Sequence, residues 1–70
     1  MNLMNIVSKR LKELRLEKQL SQSKLAKILI CSQTIISQWE NGTRTPTIYE
    51  IVAIADYFGV TTDYLLGRED

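Results

Sequence analysis

Residues 22–42, with the sequence QSKLAKILICSQTIISQWENG, constrain the fold more than any other part of the chain. Their apolar residues recur at intervals of three and four, which is the spacing of one face of an amphipathic helix, in two short runs. The apolar positions on these faces are Leu25, Ala26, Leu29, Ile36 and Trp39. The pattern predicts two short helices that are joined by a tight turn and pack against each other.

The opposite face of the second of these helices carries amides and hydroxyls and no charge. Its residues are Gln33, Thr34, Ser37 and Gln38. A solvated helix face normally carries Lys and Glu, so this composition is unusual. Amides and hydroxyls at this spacing are what a helix uses to read base edges in the major groove of DNA. The alternative is a solvated polar face with no ligand.

The segment resembles the helix-turn-helix of the phage-repressor/Cro-like (XRE) family of DNA-binding proteins. That family has a glutamine at the start of its second helix, then a small residue, a turn residue, an aliphatic residue and a bulky apolar residue at fixed offsets. These landmarks correspond here to Gln22, Ala26, Ile30, Ile36 and Trp39, and the ending Glu40-Asn41-Gly42 is also similar. The resemblance extends from about residue 7 to residue 66. It implies a compact, all-α, five-helix bundle of the lambda-repressor-like type, in which helices 2 and 3 form the helix-turn-helix.

Local start signals independently indicate five helices. A stripe of Val7, Leu11 and Leu14 predicts a first helix from about residue 6 to residue 17 or 18, while residues 1–5 carry no start signal and are expected to fray. The predicted N-caps of the other four helices are Ser21, Ser32, Thr47 and Thr61, and Glu50 completes a capping box with Thr47. The fourth helix is predicted over residues 48–58 and the fifth over 62–66. Their core residues are expected to be Ile48, Ile51, Ile54, Ala55, Phe58, Leu65 and Leu66.

Seventy residues are enough for one small domain, so we expect residues 1–70 to form a single helix-turn-helix domain with its motif at about 22–40. Two possibilities stay open, a complete small protein and the N-terminal domain of a longer one. No apolar run approaches the ~20 residues that span a membrane, and no signal-peptide pattern is present, which indicates the cytoplasm. The family resemblance adds a bacterial or phage origin.

The chain has one cysteine and no histidine, which argues against a metal site and against an obvious general base. We therefore expect no enzyme activity, no cofactor and no small-molecule substrate. Cys31 occupies an apolar position, where a buried structural side chain is the simpler interpretation and a redox switch the alternative.

The net charge of +1 hides a strong asymmetry along the chain. Residues 1–46 hold eight basic and three acidic residues, a net charge of +5, whereas residues 47–70 hold one basic and five acidic residues, a net charge of −4. A basic half beside an acidic half is typical of a protein with one side facing phosphates. Chance segregation of solvated charges is the alternative.

The third helix is expected to enter the major groove with Gln33, Thr34, Ser37 and Gln38 against base edges. In the family, the positions of Gln33, Thr34 and Gln38 face bases, and the position of Gln22 contacts the DNA backbone and braces the first reading glutamine. Predicted phosphate-binding residues are Gln22, Asn41, Thr43 and Arg44, with backbone amides of the loop helping Arg44. Lys24 and Lys27 contact phosphate or only solvent.

The resemblance assigns a structural ion pair to Arg15 and Glu40, which would set the angle of the third helix. The chain departs from the family at Ile30, where glycine is common because the backbone is often left-handed. A β-branched residue is unfavourable there, so either this turn has another shape or it is strained.

The resulting prediction is a sequence-specific regulator of transcription that binds double-stranded DNA, most simply a repressor, as a homodimer on a palindromic operator. A protein-interaction module, such as an antitoxin that neutralises a toxin and binds DNA secondarily, is the alternative. Its contact surface could be a patch of residues expected to be partly exposed, namely Leu16, Ile28, Ile30, Ile35 and Tyr49. That patch, or the fifth helix with the C-terminal tail, could also form the dimer contact.

Overall fold

The structure is a computed structural model, and it describes residues 3–69. The helices are α1 (Leu3–Glu17), α2 (Gln22–Leu29), α3 (Gln33–Asn41), α4 (Ile48–Phe58) and α5 (Thr62–Leu65). No strand occurs among the described residues, so the predicted all-α, five-helix class is confirmed. The fifth helix ends one residue earlier than predicted, because Leu66 is its C-cap.

The four predicted N-caps are all confirmed. Each capping residue has an extended backbone, and its hydroxyl accepts from the amide three residues later, as in the 3.0 Å bond from Lys24 N to Ser21 Oγ. The capping box of α4 is complete, since the backbone N–H of Thr47 also donates to Glu50 Oε1 at 2.7 Å. Each such cap stabilises its helix by about 1 kcal/mol. The caps therefore fix where the short connections begin.

The core lies where α1, α3 and α5 meet, with α2 packed on α3 and α4 on α5. Its buried members are Val7, Leu11, Leu14, Leu25, Ala26, Ile36, Trp39, Ile51, Ile54, Ala55, Phe58 and Leu65. One predicted core residue is wrong: the side chain of Ile48 is 65% exposed. It is the first residue of α4 after the cap, and the burial of that helix begins one turn later, at Ile51.

Helix α1 begins at Leu3, three residues before the predicted start, so residues 3–5 are helical, in contrast to the expectation. Residues 1 and 2 lie outside the described chain. The early start has a tertiary cause, because Ile6 packs on the turn that follows α5. A Cβ built on Gly67 would lie 2.8 Å from two carbons of Ile6. Arg10 strengthens this contact, since its guanidinium donates to the carbonyls of Tyr64 and Glu69 and lies 4.3 Å from the centroid of the Tyr64 ring.

Candidate nucleic-acid interface

The turn between α2 and α3 sets the relative orientation of the two helices. Ile30 is left-handed, with φ 59° and ψ 54°, so the turn has the family shape and the alternative of another shape is excluded. The amide of Cys31 donates to the Ala26 carbonyl at 2.9 Å and ends α2. The side chain of Ile30 is 91% exposed. No packing therefore compensates the strain of a β-branched residue in this conformation.

The four residues predicted to read bases all lie on α3. Gln33 and Thr34 are exposed in its first turn, and Ser37 and Gln38 are half-buried in the next. Ser32 caps the helix by accepting from the amide of Ile35 at 3.2 Å. The other face of α3 is buried through Ile36 and Trp39, so the orientation of the polar face is fixed by the core.

A chain of polar contacts connects the core to the first residue of α3. Arg15 holds Glu40 through two bonds, from Nε to Oε2 at 2.7 Å and from Nη2 to Oε1 at 3.0 Å. Gln22 Nε2 donates to Glu40 Oε1 at 3.1 Å, and Gln33 Nε2 donates to Gln22 Oε1 at 2.7 Å. The expected contact between Gln22 and Gln33 is thus present. Its link to the ion pair is a feature that the sequence reasoning missed.

The ion pair of Arg15 and Glu40, from which this series of polar contacts starts, is buried, with side-chain exposures of 9% and 4%. The hydrogen bond to Glu40, together with its negative charge, raises the pKa of Arg15, while burial works in the opposite direction. Arg15 Nη1 also donates to the Leu20 carbonyl at 2.8 Å. The pair thereby joins α1, the connection before α2, and the end of α3.

The loop after α3 brings Asn41, Thr43 and Arg44 together. Asn41 Oδ1 accepts from both the backbone N–H and the hydroxyl of Thr43, at 3.0 and 2.6 Å. The prediction that the loop amides are available to phosphate is wrong for two of them. The amides of Thr43 and Arg44 donate to the Gln38 carbonyl at 3.0 and 3.2 Å, because they satisfy the C-terminal carbonyl of α3. An anion at this loop would therefore be bound mainly by side chains.

Arg44 supplies most of this side-chain chemistry. Its Nε donates to Gln38 Oε1 at 2.9 Å, and its two terminal nitrogens have no partner among the described residues. Because the guanidinium only donates, it also fixes the orientation of the Gln38 amide, whose nitrogen has no partner within residues 3–69. Arg44 therefore lies beside the polar face of α3 with donors to spare.

Two further contacts bear on this surface. Ser8 is buried on α1, and its hydroxyl donates to the Trp39 carbonyl at 2.6 Å, which holds the last turn of α3. No sequence signal distinguishes this serine from a surface one. Lys24 and Lys27 are exposed on α2 and make no ion pair within residues 3–69.

Cys31 is unpaired and half-buried, whereas a buried side chain was expected. Burial, helped by the charge of Glu50, raises the pKa of its thiol. A raised pKa disfavours the reactive thiolate, which supports the structural interpretation of this cysteine.

Within the described residues, no group of three or more Cys, Asp or Glu side chains is arranged to hold a metal ion. None of the helices in the same part of the chain has the length and apolar character needed to cross a membrane.

A family model described as helix-turn-helix matches residues 11–65. The chain belongs to the XRE family of helix-turn-helix DNA-binding domains. The matched range includes α2 and α3 and extends to the last residue of α5. The XRE resemblance inferred from the landmark residues is therefore confirmed.

Regulators of transcription are among the proteins similar to this XRE domain. It is 40% identical over 63 residues to the HTH-type transcriptional activator BcrR of Enterococcus faecalis, covering 90% of this chain and 31% of that protein. It is 38% identical over 60 residues to the HTH-type transcriptional regulator AnsR of Bacillus subtilis, covering 86% of this chain and 52% of that protein. The chain thus spans only 31% and 52% of the length of these two relatives.

The fold is similar to solved structures as well. The solution structure of the SOS-response transcriptional repressor LexA from Eubacterium rectale matches with a TM-score of 0.86 and 26% identity, over 97% of this chain and 70% of that one. An activator and a repressor therefore both occur among the similar proteins.

Proposed function

We propose that this domain regulates transcription by binding double-stranded DNA sequence-specifically, with α3 in the major groove. The observation that carries the proposal is the uncharged polar face of α3, whose first residue is braced by Gln22 and whose far end is flanked by Arg44. Family membership supports it, since the similar proteins are regulators of transcription. Residues 1–70 act as one domain in this proposal, and chemistry on a substrate has no part in it.

Base reading falls to four residues in this scheme. Gln33 offers its amide to adenine, which presents a donor and an acceptor side by side in the major groove. Thr34 offers a hydroxyl and a methyl group, the latter suited to thymine. Ser37 and Gln38 reach the following base pairs, one turn along the helix. Each good two-bond contact discriminates against the wrong base by about 1–3 kcal/mol.

Phosphate binding falls to residues at the two ends of the motif. Gln22 begins α2, where unpaired amides and the helix dipole attract an anion, and one hydrogen of its Nε2 is not used by Glu40. At the other end of the motif, Asn41, Thr43 and Arg44 contact a second phosphate of the DNA backbone, and Arg44 contributes the positive charge. These contacts position the domain on DNA and carry no sequence information themselves.

We further propose a homodimer on a palindromic operator. The longest dimension of the Cα trace is 28 Å, whereas successive major grooves on one side of DNA lie about 34–36 Å apart. If the operator has two half-sites at this spacing, one domain is too short to read both, which supports the proposal of two copies. Repression by occlusion is the simplest outcome, because a bound dimer needs no further contact to block polymerase. We also propose a location in the bacterial cytoplasm, with a bacterial or phage gene, since the similar proteins come from bacteria.

A function as an antitoxin-like interaction module remains the second candidate. Of the residues expected to form its contact surface, Leu16, Ile28, Ile30 and Tyr49 are exposed, and Ile35 is half-buried. Exposed Ile48 and Val52 add to the apolar surface of α4 beside Tyr49. A small protein that co-purifies with the chain in fixed proportion would favour this candidate.

Selection from a random duplex pool tests the main proposal. The wild-type protein should enrich one motif, and Gln33→Ala should relax it at a single base pair of each half-site while leaving the others. Symmetry of the motif and its half-site spacing test the dimer. Equal recovery of all sequences by the wild-type protein would refute sequence-specific binding.

A further inference from the structure

The carboxylate of Glu40 determines the direction of the amide of Gln22. A carboxylate only accepts hydrogen bonds, so the nitrogen of Gln22, and not its oxygen, must face Glu40 Oε1, 3.1 Å away. The oxygen of Gln22 is then left for Gln33, whose nitrogen donates to it at 2.7 Å. Reversing the Gln22 amide would place two acceptors against each other at Glu40.

We propose that Glu40, acting through Gln22, fixes the polarity of the Gln33 amide and is thereby a positioning residue for adenine specificity. This inference rests on the proposed function, in which Gln33 reads a base. Gln22 uses one hydrogen of Gln33 Nε2, so the second hydrogen is left for a base together with Oε1, which has no partner within residues 3–69. A donor beside an acceptor, in this order, matches N7 and N6 of adenine, whereas guanine presents two acceptors.

The carboxylate of Glu40, which sets the direction of these amides, is held in a fixed position. Glu40 is 4% exposed in its side chain and accepts two bonds from Arg15, which is itself bonded to the Leu20 carbonyl. Three elements of the fold therefore hold the carboxylate in place. Burial strengthens these bonds and makes an unpaired polar atom costly, so a reversed amide at Gln22 is strongly disfavoured.

The substitution Glu40→Gln tests this series of hydrogen bonds, because it replaces one carboxylate oxygen by a donor with little change in shape. The new amide keeps its oxygen on the shorter of the two Arg15 bonds, from Nε at 2.7 Å, and places its nitrogen where Oε1 faced Gln22. The 3.0 Å bond from Arg15 Nη2 to Oε1 is lost in this arrangement. Gln22 then accepts with its oxygen and donates to Gln33, whose own oxygen becomes engaged. The amide edge of Gln33 is thereby reversed on DNA, and its nitrogen meets the amino group of adenine.

Binding to four duplexes that differ only at the base pair assigned to Gln33 tests the consequence. We expect Glu40→Gln to lower the preference for adenine over guanine at this base pair about tenfold, within the range of one two-bond contact. In a Gln33→Ala background the same substitution should change nothing further. Ile54→Val, a buried change on α4, is the control for a loosened fold and should leave the base preference unchanged when its loss of melting temperature is matched.

Side-chain NMR of the free protein tests the polarity itself without DNA. The wild-type protein should show a scalar coupling across the hydrogen bond from Gln33 Nε2 to the side-chain carbonyl of Gln22. Glu40→Gln should abolish this coupling and create the reverse one, from Gln22 to Gln33. Absence of the first coupling in the wild-type protein would overturn the inference.

The outcomes separate the inference from the proposed function. A wild-type protein that enriches no motif refutes both. A clear motif whose adenine preference survives Glu40→Gln while the reverse coupling is present, or survives the double substitution Arg15→Met with Glu40→Leu, refutes the inference and leaves the proposed function standing. A preference that changes equally in the Gln33→Ala background or in Ile54→Val does the same.

Discussion

Replacing Ile30 by glycine should stabilise the domain. Ile30 has a left-handed backbone, with φ 59° and ψ 54°, at the turn of the helix-turn-helix. A residue with a Cβ in this conformation costs about 1–2 kcal/mol relative to glycine, and β-branching adds to the crowding. The side chain is 91% exposed, so its removal forfeits very little buried apolar surface.

The gain is reduced by the greater freedom of glycine in the unfolded chain, which costs about 0.4–1 kcal/mol. The small burial of Ile30 is worth less than about 0.5 kcal/mol. The net effect of Ile30→Gly is then a stabilisation of about 0.5–1 kcal/mol. For a domain of this size, such a change raises the melting temperature by roughly 2–8 °C.

Thermal unfolding followed by circular dichroism measures this effect, with Ile30→Ala as the matched control. Alanine removes the same exposed apolar surface but keeps the Cβ that causes the strain, so its melting temperature should stay within about 2 °C of the wild type. An unchanged or lower melting temperature for Ile30→Gly would refute the strain argument. An equal rise in Ile30→Ala would assign the gain to the loss of an exposed side chain instead.

The remaining predictions concern charges and the thiol. Arg15→Ala should lower the free energy of unfolding in urea by about 3–5 kcal/mol, because it leaves the buried carboxylate of Glu40 uncompensated. The double substitution Arg15→Met with Glu40→Leu should lower it much less, since no buried charge is left unpaired. Equal losses of stability in the two variants would contradict this argument. Arg44→Gln should weaken binding to all duplexes alike, and it should reduce the steepness of log affinity plotted against log salt concentration by about 0.9. A change in base preference would show instead that Arg44 influences base reading through Gln38. The pKa of the Cys31 thiol is higher in the folded chain than in the unfolded chain. Between these two pKa values the folded chain keeps a proton that the unfolded chain has lost, so the stability of the fold decreases as the pH rises through this range. Alkylation of the folded protein should accordingly have its pH midpoint above that of the urea-unfolded protein, and coinciding midpoints would contradict the shift.

Features that depend on a few neighbouring residues could be predicted from the sequence. The four N-caps require only a hydroxyl before an apolar run, because the bond that they make spans three residues. The offset of Ile30 within the helix-turn-helix gave the position of the turn, but the β-branched residue left its shape open between a strained left-handed turn and another one. The buried faces of α2 and α3 follow from helical spacing, since both helices are covered by the same core.

Features that depend on distant parts of the chain could not be predicted in the same way. The early start of α1 depends on the contact of Ile6 with Gly67, and Ile48 is exposed because the rest of the fold covers α4 only from Ile51 onward. Helical spacing gives the direction of a side chain and not what lies opposite it. The hydrogen bond from Gln22 to Glu40 has the same character, because it joins residues from two helices through a carboxylate that Arg15 holds.

The ion pair of Arg15 and Glu40 separates stability from recognition. A buried ion pair adds little net stability, since two apolar residues of similar volume often do as well. Such a replacement would fill the same space in this domain, yet it would remove the acceptor that orients Gln22 and, through it, Gln33. The double variant Arg15→Met with Glu40→Leu should therefore stay folded and still bind DNA through its phosphate contacts, but it should discriminate less well at the base pair read by Gln33. If the double variant keeps full adenine preference, then packing of α3 alone is sufficient to orient its first side chain, and the buried charge has no part in recognition.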